Sequence, residues 1–453
     1  MILLNPTACL IAAAATLLLC TCSPMKTEAE ASVEFKKLKP FEAEAWKWSA
    51  PDADWDAWHA AHLLDEVDRW KHEHTAQGAG ARNIEGEWRL EGPTNIGGRF
   101  NFIRQHPDDP VTLFAGSSAG GLWKGSNSGT WQPLTEDFPA MAMGDLAFYP
   151  GNPDRIFLAT GDPQISSFPR IGNGIYRSLD GGGSWENMGL DSMGVISKLL
   201  FVPGLDGAAP VLFAGAMGNP AQPNAYRGLF RSADAGVNWE QVLLPNDSAG
   251  VTDLLYDPDT EVIYAAAWQR TRNSTASEVW GPHCRIWKSV DNGTNWQVLP
   301  NPWGQGERGR IGLAHSSQGV YALVVGQDSQ LDNLYRTTDG GETWSAVIPE
   351  ENVPENALGG FGWYFSKVRI NPFNPDDITI LGVNLWNSVN GGANWNLMGP
   401  EWWTYEVHAD KHDLQWLGSE TCILATDGGL YKTEDHGATW EDLEDIPVTQ
   451  FYR

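Results

Sequence analysis

The stretch Tyr176-Arg177-Ser178-Leu179-Asp180-Gly181-Gly182-Gly183-Ser184-Trp185 decides how the whole chain is read. An aromatic-basic pair ends one strand, a short polar turn follows, and a tryptophan opens the next strand. Within the turn, the Asp180 carboxylate is placed to accept hydrogen bonds from backbone N–H groups and a hydroxyl of the loop. Gly182 supplies a positive φ that a side chain resists. Trp185 is expected to cover the hairpin. Burying one indole removes roughly 150–250 Å² from water, worth up to ~4–6 kcal/mol.

The same ten-residue box returns along the chain. It reads FRSADAGVNW with Asp234 and Trp239, WKSVDNGTNW with Asp291 and Trp296, and YRTTDGGETW with Asp339 and Trp344. WNSVNGGANW keeps Trp395 but has Asn390 in place of the aspartate, and YKTEDHGATW has Asp435 and Trp440. A degenerate copy one residue short, WKGSNSGTW with Asn127 and Trp131, precedes them all. Successive tryptophans are 54, 54, 57, 48, 51 and 45 residues apart. Upstream of the boxes a second pattern repeats: FNFIRQHPDDPVTLFAG, DLAFYPGNPDRIFLATG and KVRINPFNPDDITILG. Each is a strand, a Pro-Asn/Asp turn and a second apolar strand. Four strands per repeat at this period predict an all-β, seven-bladed β-propeller over residues 85–446. The blades fall near 95–137, 141–190, 193–245, 249–300, 308–349, 362–399 and 405–446. A solenoid is the other architecture weighed, but the repeat is long for a β-helix.

The remaining segments carry different signals. Residues 1–22 read as an export signal whose apolar run, Ala8 to Leu19, is too short to span a bilayer comfortably. The run ends in Leu19-Cys20-Thr21-Cys22-Ser23, which resembles a bacterial lipobox, so Cys22 (or Cys20) is the expected lipidation site. Residues 23–84 read as a charged tether followed by one amphipathic helix over 54–74. The histidines of that helix, His59, His62, His72 and His74, read as a solvated face rather than a metal site. At the far end, IPVTQFYR at 446–453 and the strand-like GEWRLEGP at 86–93 are left over once seven blades are complete. They suggest that 447–453 begins a second propeller.

Composition sets bounds on function. The 57 acidic and 30 basic residues give a formal charge of −27, which repels phosphate backbones and anionic lipid, so no nucleic-acid partner is expected. Membrane association is expected only through an N-terminal lipid. With 23 Trp, 16 Phe and 11 Tyr, the chain has ample apolar area for a core, which argues against disorder. Cys284 and Cys422 fall in different repeats and read as buried free thiols. A monomer is expected.

The boxes, together with GPTNIGGRFNFIRQHPDDPVTLFAGSSAGGLWKGS at 92–126, resemble the Asp-box (BNR-repeat) propellers of sialidase and sortilin type. They are most similar to large exported bacterial proteins classed as glycosyl hydrolases with such repeats. VHADKHDLQW at 407–416 and ATDGGLYKTEDHGATWEDL after it are similar to that subgroup's seventh blade. The resemblance implies a secreted or cell-envelope, carbohydrate-related protein. It does not award a reaction, because Asp-boxes are structural. A sialidase would need three arginines to clamp a substrate carboxylate. Arg99, Arg310 and Arg369 lie early in blades 1, 5 and 6, but the Phe-Arg-Ile-Pro motif is missing, so they read as surface or turn arginines. Xyloglucan-type endoglucanases carry one catalytic carboxylate on each of two propellers. The stretch matching the first is Gly116-Ser117-Ser118-Ala119-Gly120-Gly121, with Ser118 where the aspartate belongs. A serine cannot serve as the carboxylic acid or base of glycoside hydrolysis.

Two candidate sites remain. His408, Asp410 and His412, spaced by two on an expected strand, would project from one face and bind a divalent metal or fix a histidine tautomer. Asp427, in Ala425-Thr426-Asp427-Gly428-Gly429, occupies the counterpart of the Ser118 position and is the best lone catalytic carboxylate. Asp162 is a weaker one. The bland reading of all these residues is that they hydrogen-bond adjacent blades or line a wet channel. Trp363, Trp402 and Trp403, outside the boxes, are candidates for stacking on sugar rings. The function classes left are a carbohydrate-active hydrolase or a non-enzymatic module binding glycan, peptide or an envelope protein.

Overall fold

A computed structural model describes residues 97–448, apart from 128, 167, 168, 274, 355, 444 and 445. The export signal with Cys22, the tether, the 54–74 helix and residues 449–453 lie outside the described residues.

Seven four-stranded antiparallel sheets follow one another, each a blade in which the strands pair in chain order. Blade 1 is Phe100–His106, Asp109–Ser117, Leu122–Ser126 and Trp131–Pro133. The first strands of the later blades are Met143–Tyr149, Val195–Val202, Ala249–Asp257, Ile311–Ser316, Lys367–Asn371 and Lys411–Trp416. Each first strand packs on the first strand of the next blade, and Phe100–His106 packs on Lys411–Trp416, which closes the ring. All four described strands of blades 1 and 7 come from their own repeats, so among the described residues no strand is exchanged at the seam. Instead the Gly98 N–H donates to the Val448 carbonyl at 2.5 Å, and Ile446 and Val448 join the apolar cluster of Phe100, Trp123 and Leu430. An extra hairpin, Thr271–Arg272 with Ser277–Glu278, projects from blade 4.

The boxes form as expected. The Asp180 carboxylate accepts from the Ser178 hydroxyl at 2.7 Å, the Ser184 N–H at 2.9 Å and the Ser184 hydroxyl at 2.7 Å. The Asp234, Asp291, Asp339 and Asp435 turns repeat the pattern, and Asn390 uses its amide oxygen the same way. Hydrogen bonding to the charged form holds the Asp180 carboxyl down at about 2.

The tryptophans act differently from the expectation. They are half-buried, and each packs against the preceding blade rather than simply roofing its own hairpin. The Trp239 indole N–H donates to the Met188 carbonyl of blade 2 at 2.9 Å, Trp296 meets Phe213 of blade 3 edge-on, and Trp344 meets Tyr264 of blade 4. Trp185, Trp395 and Trp440 join clusters with residues of blades 1, 5 and 6. The box is therefore a wedge between blades, and half-burial means each indole contributes less than full burial would. Cys284 and Cys422 are buried free thiols.

Carboxylates on the first strands add polar stitches toward the channel. Asp145 accepts from the Leu199 N–H at 3.1 Å, Asp253 from Leu313 at 2.9 Å and Asp413 from Ile103 at 3.3 Å, each reaching into the next blade. Asp413 also bridges Arg104 and Arg369. Burial would raise its carboxyl, but Arg369 and Arg104 overcome this and hold it far below the usual carboxylate range.

Candidate functional site at the mouth of the channel

Antiparallel connectivity sorts the loops onto two faces. First-to-second hairpins and the box turns share one end of the blades. Second-to-third loops and the links between blades share the other, here called the mouth. In blade 7 the second strand, Cys422–Thr426, delivers Asp427 to the mouth, where its N–H bonds the Asp410 carbonyl at 3.1 Å. In blade 1 the Ser118 N–H bonds the Arg99 carbonyl at 2.9 Å, so the two positions are structural counterparts. Ser118 is fully buried.

Asp427 sits in a buried network drawn from four parts of the ring. Its Oδ1 lies 2.5 Å from the His412 Nε2, and the Tyr364 hydroxyl donates to the carboxylate at 3.1–3.2 Å. Arg99 bonds the Tyr364 hydroxyl and the Asp162 carboxylate, and its Nε lies 4.0 Å from Asp427. Asp162 is completely inside, and its second oxygen accepts from the Gln164 N–H at 3.1 Å. Arg310 donates to Gln164 at 2.8 Å and to the Tyr364 carbonyl at 3.3 Å. Tyr364 and Phe365 rings pack on His412, whose Nδ1 is buried without a hydrogen-bond partner.

This corrects the reading of the arginines. Arg99 and Arg310 are interior groups, 1% and 3% exposed, and Arg369 is partly buried on Asp413. Nothing in their local sequence separates a surface arginine from one that spans a channel, because their partners Asp162, Tyr364 and Gln164 come from other blades.

The expected alternation across 408–412 is also absent. The strand begins at Lys411, Asp410 has a left-handed backbone (φ 67°), and a bulge falls between Lys411 and Asp413. His412 sits at that bulge and turns toward Asp427, while the His408 ring contacts the Ala409 carbonyl. Among the described residues, the His/Asp set whose ligand atoms all lie within 4.8 Å of one another is instead Asp257, Asp259 and His315, on the opposite face.

The electrostatics give the two blade-7 carboxyls opposite tendencies. Burial alone would raise Asp427, but the His412 imidazole and then Arg99 overcome it and hold the carboxyl below its ordinary range. Asp410 is pushed up by burial and by the charge on Asp427. Carboxyls whose environments diverge in this way suit base and acid roles respectively. Above the network the mouth is aromatic. Of the seven exposed aromatic side chains among the described residues, six are on this face: Tyr226, Trp280, Phe361, Trp402, Trp403 and Tyr405. Trp402 and Trp403 are 43% and 54% exposed with their rings edge to face, whereas Trp363 is half-buried and lies under Arg270.

Comparison with known proteins agrees with the repeat and the ring. Residues 335–346 match the BNR/Asp-box repeat family. The chain is an Asp-box repeat propeller. This propeller is 27% identical over 362 residues to a xyloglucanase of a Paenibacillus species, covering 72% of the chain and 29% of the relative. It is 25% identical to a xyloglucanase of Acetivibrio thermocellus, covering 65% of the chain and 37% of the relative. The propeller thus spans well under half the length of either enzyme. Among solved structures it resembles the GH74 xyloglucanase from Xanthomonas campestris, with a TM-score of 0.56 at 18% identity over 79% of this chain and 56% of that one. That likeness speaks for the fold.

Proposed function

We propose that this propeller is the carbohydrate-engaging part of an exported protein, and that a polysaccharide chain lies across its mouth face. The observation that carries the reading is the concentration of exposed aromatic rings on that face, which also carries Asp427. Such rings offer flat apolar area with little entropy to lose, which suits the faces of pyranose units. The likeness to xyloglucanases supports xyloglucan as the first polysaccharide to try.

Binding without cleavage is the primary reading. Ser118 stands where xyloglucan-type endoglucanases carry a first-blade carboxylate, and it is fully buried, as is Arg99, which bonds the Tyr364 hydroxyl. Hydrolysis is the second reading. It is favoured by the ionised Asp427 beside the more readily protonated Asp410. Affinity electrophoresis in xyloglucan gels, paired with a reducing-end assay, separates the two. Retardation that falls at least tenfold in Trp402→Ala/Trp403→Ala, with no new reducing ends, fits binding. Reducing ends that vanish in Asp427→Asn establish hydrolysis, and no retardation on any polysaccharide refutes both.

A further inference from the structure

The geometry points to a zinc-class divalent cation site between blades 4 and 5, on the face opposite the mouth, held by Asp257, Asp259 and His315. The first-strand hairpin of blade 4 reads Asp257-Pro258-Asp259-Thr260-Glu261, and His315 lies near the end of the blade 5 first strand, Ile311–Ser316. The ring packing therefore brings one imidazole against two carboxylates of its neighbour. This site is independent of the proposed glycan surface.

The spacing of the donor atoms carries the argument. His315 Nε2 lies 3.3 Å from Asp257 Oδ1 and 3.5 Å from Asp259 Oδ2. Ligands at 2.0–2.1 Å from a tetrahedral ion sit about 3.3–3.4 Å apart, against about 2.9–3.0 Å in an octahedron. The two separations, 3.3 and 3.5 Å, lie near the tetrahedral value. Direct pairing accounts for them less well, because the Nε2 is buried and makes no hydrogen bond among the described residues. Elsewhere in this ring a His–Asp pair does close: His436 Nε2 lies 2.8 Å from Asp377 Oδ2 between blades 7 and 6.

The surroundings fit a pre-set site. The Asp257 carboxylate is buried and fixed by the Asp259 N–H at 3.0 Å and the Thr260 hydroxyl at 2.6 Å. Each oxygen keeps lone-pair capacity beyond those bonds. Asp259 is exposed and gives an ion an entry path from solvent. One nitrogen and two carboxylate oxygens leave a fourth position for water, a donor set that suits Zn²⁺ better than the oxygen-only sets of Ca²⁺ or Mg²⁺. Because the ligands come from two blades, a bound ion would pin that interface and stabilise the ring.

The test uses the full chain, free of any affinity tag, stripped with a chelator and titrated with Zn²⁺ in a calorimeter. Substitution by Co²⁺ gives an optical readout of four-coordinate geometry. Expected are one high-affinity ion per chain, a tetrahedral Co²⁺ spectrum and a melting temperature raised by Zn²⁺. His315→Gln and Asp259→Asn should each weaken that binding at least tenfold. Asp259 is an exposed turn residue, so its variant should fold normally, and an unchanged circular dichroism spectrum checks this. Equal Zn²⁺ affinity in wild type and both variants, or no saturable binding in the wild type, overturns the proposal.

Discussion

Gly293→Ala tests whether the boxes are wedges between blades. Gly293 has φ 78°, and a Cβ placed there would stand 2.3 Å from the Phe213 ring of blade 3. A left-handed backbone costs a side chain roughly 1–2 kcal/mol. Forcing a methyl into a packed aromatic adds typically about 1–3 kcal/mol. Gly151→Ala provides the control. Gly151 has φ 79° but nothing within 4 Å of its would-be Cβ, so only the backbone cost applies. Urea unfolding followed by tryptophan fluorescence should therefore place Gly293→Ala about 1–3 kcal/mol below Gly151→Ala. Equal losses in the two variants would show that the box glycine matters only for its backbone, and the wedge would be refuted.

Three further outcomes follow from the same geometry. Asn390→Asp should stabilise by about 0.5–1.5 kcal/mol in denaturant melts, because its new oxygen can accept from the Asn394 amide as Asp234 Oδ2 does from Asn238 at 2.6 Å. Arg99→Met leaves the buried Asp162 and Asp427 short of their cation and should cost about 3–5 kcal/mol in the same assay. Lys411 is buried on the Val383 carbonyl, and burial lowers its ammonium to about 8 despite help from Asp410. The unfolded chain then holds the proton more tightly between about pH 8 and the ordinary lysine value of about 10.4, so stability rises with pH across that window. Lys411→Met should lose that rise, measured as the difference between the two proteins' pH–stability curves.

The ring was legible in the sequence because its signals are local. A box needs only the ten residues from Tyr176 to Trp185 to declare a hairpin, and its recurrence gives the number of blades. The wedge role of Trp239 was not legible, since its partner Met188 is set by how blades pack and not by the repeat itself. The mouth divides in the same way. Asp427 stood out by its place in the repeat, as the counterpart of Ser118. Its partners Arg99, Tyr364 and His412 come from blade 1, the link into blade 6 and a bulged position of blade 7. The alternation argument for His408, Asp410 and His412 failed because the strand starts only at Lys411, after the left-handed Asp410, and His412 then falls at a bulge. The cluster of Asp257, Asp259 and His315 had one usable hint, two aspartates spaced by two in a hairpin, but its histidine is supplied by the next blade.

Hydrogen exchange with and without saturating xyloglucan tests the mouth-face assignment most directly. Protection is predicted in the blade-to-blade links 347–366 and 398–410, with the turns that carry Asp180, Asp234 and Asp291 unchanged. Protection centred on those turns, or none anywhere, would contradict it.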